Sequence, residues 1–210
     1  MDIAAPSGSV QVLVAGNSSD GLLAMSLDAQ GEIGAATPLS SLPGAMGHLA
    51  SAAEASPSRL YVSDTSAGGM ISYDWTGTAY AQSASIVDTA DTYAAYIFEI
   101  LTLTVGAASY AIVTSASESG VTAYQDAGGT LIATGSFGAY EGLGVMAPTD
   151  LAHAEIGGRS FILLASAPSN GAGGAISVME LRAGGTLVPT DHVVDTLATR
   201  FGDIQSLDVV

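Results

Sequence analysis

Apolar residues fall in short runs along this chain, and each run closes in a turn that carries glycine. Stretches beginning "VQVLVAG" at Val10, "RLYVSD" at Arg59, "SYAIVTS" at Ser109 and "RSFILLAS" at Arg159 read as strands. "RLYV" and "SFILLA" are continuous apolar runs, the pattern of a strand buried on both faces. After each comes a turn, a second strand, another turn and a third strand. The plainest case is "GVTAYQDAGGTL", 120–131, a hairpin around Asp126-Ala127-Gly128-Gly129, which "GAISVMELRAGGTL", 174–187, repeats. The glycine ahead of the middle strand falls at Gly21, Gly69, Gly120 and Gly174, spaced 48, 51 and 54 residues apart. A period of that length marks a repeat architecture.

A further apolar strand precedes the phrase after a longer connection: "HLASAAEA" (48–55), "ILTLTVG" (100–106) and "DLAHAEIG" (150–157). The unit is therefore four strands. The expected fold is all-β, a β-propeller of four-stranded antiparallel blades in a single domain over 1–210. Its repeats cover about 10–47, 48–99, 100–149 and 150–205. The first repeat shows no convincing leading strand, whereas "SLDVV", 206–210, reads as an orphan one. It is expected either to close a four-bladed ring beside Val10 or to begin the next blade of a larger propeller.

Composition narrows the function. Twenty acidic residues face four arginines and no lysine, a formal net charge of −16. Such a surface repels phosphate backbones and anionic membranes, which excludes nucleic acid as a partner and favours cations, basic proteins or neutral glycans. Cysteine is absent, so there is no disulfide framework and no thiolate site. Residues 93–113 are long and nearly uncharged, but Glu99, Thr102, Thr104, Gly106 and Ser109 interrupt them. Two buried strands around a turn fit better than membrane insertion.

The phrases "LYVSDTSAGGMISYDW" and "FILLASAPSNGAGGAISVMEL", each followed by a glycine turn, resemble lactonase-type propellers related to 6-phosphogluconolactonase. The segments "PTDLAHAEIGGRSFILLASA", 148–167, and "LVPTDHVVDTLATRFGDIQSLDVV", 187–210, are more similar to the propeller-like N-terminal region of secreted RTX, or hemolysin-type calcium-binding, proteins of alphaproteobacteria. The resemblance implies type I export and a secreted or cell-surface location. It does not extend to a calcium site, since no "GGxGxDxLx" nonapeptide occurs.

In a propeller, ligands sit at one end of the channel, among the connections into the innermost strands. Those segments hold Asp88, Asp91, Tyr93, Tyr140, Glu141 and His153 besides six residues that form the candidate ligand site: His48, Tyr96, Glu99, Asp150, Arg200 and Asp203. Carboxylates converging there would hold a divalent cation such as calcium through oxygen ligands; no other cofactor is evident. His48 and Asp150 are expected to face one channel. The acids Asp28, Asp74 and Asp126 recur at one hairpin position, where Asx turns account for them. No nucleophile motif, phosphate loop or zinc pattern is present. The expected function is a non-catalytic binding or display module, acting through a protein or glycan partner or by self-association. The alternatives are a lactonase-like or other hydrolase with a carboxylate and histidine at the channel mouth, and a structural spacer.

Overall fold

The computed structural model describes residues 2–4, 10–15, 22–38, 46–52, 59–64, 68–77, 79–141, 145–167 and 173–210. Sixteen strands run through them in four antiparallel sheets of four, and within every sheet the strands lie side by side in chain order. The first sheet is β1 (Asp2–Ala4), β2 (Val10–Ala15), β3 (Leu22–Leu27) and β4 (Thr37–Pro38). The second is β5 (Met46–Ala52), β6 (Arg59–Asp64), β7 (Met70–Trp75) and β8 (Tyr80–Ile86). The third is β9 (Ile97–Val105), β10 (Ala108–Ser115), β11 (Gly120–Asp126) and β12 (Leu131–Gly138). The fourth is β13 (Pro148–Ile156), β14 (Arg159–Ser166), β15 (Ala175–Leu181) and β16 (Leu187–Val194). Among the described residues no helix is long and apolar enough to cross a membrane. The nearly uncharged stretch 93–113 supplies β9 and most of β10 instead, as its β-branched residues favour.

In the second and third sheets the second strand is the most buried, as its apolar run requires. β6 is buried from Arg59 through Ser63, and β10 from Tyr110 through Ser115. The chain divides into two compact units, 1–87 and 88–210, with two sheets in each. In the first, Leu13, Leu22, Leu60, Val62, Tyr73 and Tyr80 form one core, with Trp75 set edge-on to Tyr80 at 5.1 Å between ring centroids. In the second, the core joins Leu103, Tyr110, Ile112, Val121 and Ala123 of one sheet to Leu151, Ile162, Leu164, Met179 and Leu181 of the other.

The sheets agree in detail as well as in order. Pairing between the third and fourth strands slips at Ser72/Tyr73, Ala123/Tyr124 and Val178/Met179, the same place in three sheets. Pairing between the first two strands slips at Met46/Leu49, Thr114/Ser115 and Pro148/Asp150. A bulge recurring at one position sharpens the local twist in each of these three sheets. The repeated glycine also has a steric reason at Gly69, where φ is +95° and a Cβ would lie 2.2 Å from the Ile86 carbonyl. Gly21 lies outside the described residues.

Two expectations need correction. The leading strand of the first sheet is β1, paired Asp2↔Leu13 through Ala4↔Gln11, and residues 206–210 belong to no strand. Three residues, "DIA", are too short to carry a hydrophobic period, which is why β1 escapes notice in the sequence. The second correction is Asp74. Asp28 and Asp126 do cap their turns, Asp28 Oδ1 accepting from Gln30 and Glu32 N–H and Asp126 Oδ1 from Gly128 N–H. Asp74 instead holds Arg59 in a two-pronged ion pair across β6 and β7.

The fourth sheet carries the same clamp. Arg159 Nε and Nη2 donate to Glu180 Oε1 and Oε2 at 2.9 and 2.8 Å, Arg182 Nε adds 3.2 Å to Oε2, and the Arg159 guanidinium stacks 4.9 Å over Phe161. The Arg159 and Arg182 hydrogen bonds bring the Glu180 carboxyl down to about 2. A depressed carboxyl favours the folded state above its unfolded value near 4.5. That contribution disappears as pH falls through the folded value. Acid titrations of folding should therefore show Glu180→Gln less stable than wild type at pH 7, with the gap closing between about pH 4.5 and 2. A gap independent of pH would mean the clamp does not act through charge.

Candidate functional site

The connection from β8 to β9 is built by a turn of side chains onto backbone. Asp88 Oδ1 accepts from Ala94 N–H at 3.1 Å and from the Thr92 hydroxyl at 3.1 Å. Thr92 Oγ1 accepts from Thr89 N–H at 3.0 Å, and Thr89 and Thr92 hydroxyls meet at 3.0 Å. Short polar side chains hold the chain in a non-extended path here because they replace the ladder bonds the backbone has given up. The same turn occurs after β16. Val-Asp-Thr-x-x-Thr at 87–92 recurs at 194–199. There Thr196 N–H donates to Thr199 Oγ1 at 2.7 Å, and Asp195 Oδ1 accepts from Phe201 N–H at 2.9 Å. Each copy then passes through a left-handed residue, Tyr96 at φ 49° and Asp203 at φ 57°.

In the first copy this turn delivers Tyr93 onto the third sheet. Gly120 and Gly138 pair across β11 and β12, and the Tyr93 ring fills the space their side chains would occupy. A Cβ on Gly120 would lie 2.2 Å from Tyr93 Cγ, and one on Gly138 2.4 Å from Cζ. Tyr93 N–H donates to Thr122 Oγ1 at 2.8 Å, and its hydroxyl donates to Glu141 Oε2 at 2.6 Å. Glu141 Oε2 also accepts from Gly138 N–H at 2.7 Å. Burial and the bond to Glu141 raise the Tyr93 phenol above the usual tyrosine range, and the same bond lowers Glu141.

Beside Tyr93 the surface opens into a cleft of about 760 Å³ in the 88–210 unit. Asp91, Glu118, Tyr140 and Glu141 line it together with hydroxyls of Thr89, Thr134 and Ser136, and no lysine or arginine does. Glu118 Oε2 accepts from Ala95 N–H at 3.0 Å, which ties the turn between β10 and β11 to the connection. Tyr140, in the 3₁₀ turn Ala139–Glu141, is 89 % exposed. A free aromatic face beside uncompensated carboxylates suits a cation or a hydroxyl-rich ligand.

The six residues singled out from sequence take other places. Tyr96 and Asp203 mark one backbone position in the two copies of the turn. Arg200 stands where the first copy has Tyr93; its Nε donates to the Leu197 carbonyl at 2.9 Å. Glu99 and Asp150 are brought near each other on β9 and β13, where burial and then Asp150 raise the Glu99 carboxyl. Asp150 Oδ1 accepts from Leu151 N–H at 2.9 Å, and Oδ2 accepts from Leu207 N–H. His48 belongs to the 1–87 unit; its N–H donates to Ser63 Oγ at 2.6 Å, and burial lowers the half-buried imidazole. His153 lies on the face of β13 that packs into the core, with Nε2 buried and unbonded.

One pair had no signal in the sequence. Ser177 Oγ and His192 Nδ1 lie 2.8 Å apart on β15 and β16. A serine bonded to a histidine invites a nucleophilic reading, but Ser177 is fully buried. The pair also repeats Ser72–Ser83 at 2.9 Å and Thr122–Ser136 at 3.2 Å, between the same two strands of the other sheets. It is a cross-strand tie. Among the described residues no group of three or more His, Asp or Glu converges as a metal site. Sequence reading reached Asp91, Tyr93, Tyr140 and Glu141 as connection residues, but missed Glu118 and Thr134, which lie on a hairpin turn and an outer strand. The recurring Val-Asp-Thr-x-x-Thr was the available signal for the turn.

No family model matches the chain, and no curated protein matches it. The Tyr93 seat makes a direct prediction. Gly120→Ala forces a methyl against Cγ of the ring and should lower stability by roughly 1–3 kcal/mol in urea melts. A neutral result would show that Tyr93 does not occupy the glycine cradle.

Proposed function

We propose that this chain is a non-catalytic binding module of a secreted or cell-surface protein, and that the cleft beside Tyr93 receives a basic segment of a protein partner. Its four meander sheets are then the blades of a β-propeller, a reading supported by their chain-order strands and recurring bulges. Secretion is supported by the acidic, cysteine-free composition and by the resemblance to RTX propellers.

The observation that carries the binding reading is the cleft itself. Tyr140 presents its ring to solvent at the rim, while Asp91, Glu118 and Glu141 bring negative charge that no basic side chain in the lining offsets. An arginine or lysine side chain over Tyr140 would gain from the ring and from the carboxylates together. A neutral glycan would have to displace water from those carboxylates without neutralising them. The net charge of −16 steers a basic partner inward and works against self-association. A hydrolytic role is less well supported, because Glu141 and Glu118 already spend oxygens on Tyr93, Gly138 and Ala95.

Fluorescence anisotropy with a labelled arginine-rich peptide tests this. Binding should weaken as salt is raised. Tyr140→Ala should reduce affinity by roughly two- to fivefold, from the loss of an exposed cation–π contact. Asp91→Asn, on an exposed turn, should weaken it further without changing the melting temperature. Equal binding by both variants, or binding only to neutral oligosaccharides on a glycan array, would sink the proposal.

A further inference from the structure

The third and fourth sheets meet through faces that do not correspond. Tyr110, Ile112, Val121 and Ala123 share one face of the third sheet and pack on Ile162, Leu164 and Met179 of the fourth. The recurring bulge fixes which residues are counterparts. Tyr110 pairs with Gln125 and Ile112 with Ala123, one on each side of the Ala123/Tyr124 slip. Phe161 pairs with Glu180 and Leu163 with Val178, one on each side of the Val178/Met179 slip. The counterparts of Tyr110, Ile112, Val121 and Ala123 are therefore Phe161, Leu163, Ile176 and Val178. All four are apolar, and alternation puts them on the face of the fourth sheet opposite Ile162 and Leu164.

The two faces differ in burial. Tyr110, Ile112, Val121 and Ala123 are at most 1 % exposed, whereas Phe161, Leu163, Ile176 and Val178 are half-buried. Ile156, paired with Arg159, and Val193, paired with Ile176, extend that face and are 66 and 40 % exposed. The first sheet holds the complementary half. Its Leu13, Leu22 and Ala24 pack on Leu60, Val62 and Tyr73 of the second sheet. Leu60 pairs with Tyr73 just beyond its bulge, as Ile162 does with Met179, so one kind of interface occurs in both units. The opposite face of the first sheet presents Val14, Leu23 and Met25, also half-buried. Within one chain both halves keep apolar surface in water, and contiguous surface of that kind marks an interaction site.

We propose that the fourth sheet of one copy docks on the first sheet of a second copy, with Phe161, Leu163, Ile176 and Val178 against Val14, Leu23 and Met25. The contact repeats between chains the interface that joins neighbouring sheets within each unit. Every copy carries both halves, so two copies can satisfy both in a closed dimer. Burial of apolar surface drives the contact, and the net charge of −16 opposes it. Screening removes that opposition, so association strengthens as salt is raised, the reverse of peptide binding at the Tyr93 cleft. The contact rests on sheet packing alone, and either proposal can fail without the other.

Sedimentation velocity of the full chain, across concentration and salt, tests this. A shift from monomer to dimer that grows with both is expected. Ile156→Asp places a charge that water solvates in the monomer and the contact would bury. It should weaken association by roughly tenfold or more and leave the melting temperature of the dilute monomer unchanged. Met25→Asp, on the first sheet, should weaken association as much. Ile132→Asp adds the same charge at a residue 48 % exposed on β12, outside both docking faces, and should change nothing. A monomer at every concentration and salt would overturn the proposal, as would wild-type association in Ile156→Asp. Wild-type association in Met25→Asp alone would mean that fourth sheet meets fourth sheet, and equal weakening by Ile132→Asp would mean general charge repulsion; either result also overturns it.

Discussion

A four-stranded meander cannot bury its own middle strands, and everything else in this protein follows from that. In each unit two sheets share one core, with Tyr73 and Tyr80 in the first and Tyr110 in the second as the large fully buried side chains. Large rings bury much area in few residues, which matters in a chain rich in glycine and alanine. The apolar faces are kept in register by bulges that recur at one place in the pairing of the third and fourth strands. Thr134 and Thr190 stand at that bulge in the third and fourth sheets, each donating its hydroxyl to the carbonyl the bulge exposes, Ala123 or Val178, at 3.1 Å. The irregularity thus brings its own hydrogen-bond partner.

Charge is arranged around this scaffold with little waste. The second and fourth sheets each close with an arginine from the second strand on a carboxylate from the third, Arg59 on Asp74 and Arg159 on Glu180. With Arg182 also on Glu180, these ion pairs engage three of the four arginines. In the 88–210 unit Asp91, Glu118 and Glu141 gather where Tyr140 is also exposed. The cleft and the clamp therefore have one origin: a composition so short of bases that positive charge goes to strand ends and leaves the turns acidic.

The strand pattern is legible in the sequence because both-face burial writes long apolar runs, and because a turn every few residues needs glycine. β10 and β14 stand out for the first reason, and the hairpin at Asp126 for the second. β1 is not legible, since three residues have no period. Asp74 is misread because a carboxylate capping a turn and one gripping an arginine look alike until Arg59 is seen opposite it. The cleft is half legible. Its connection residues are polar where the repeat is not, but Glu118 joins them only through a bond to Ala95 N–H. Long-range closure of that kind leaves no mark in local spacing.

The turn that recurs at 88–97 and 195–204 separates frame from content. Asp88 and Asp195, Thr89 and Thr196, and Thr92 and Thr199 form the frame, down to the left-handed residue that ends it. The next position carries a ring in one copy and a guanidinium in the other, Tyr93 and Arg200. Between the two copies this position changes from a phenol seated on a glycine pair to a full positive charge at φ 50°, while the Asp Oδ1-to-N–H bond and the Thr–Thr contact recur. The turn thus keeps its two capping contacts while the residue it carries changes in both chemistry and backbone conformation.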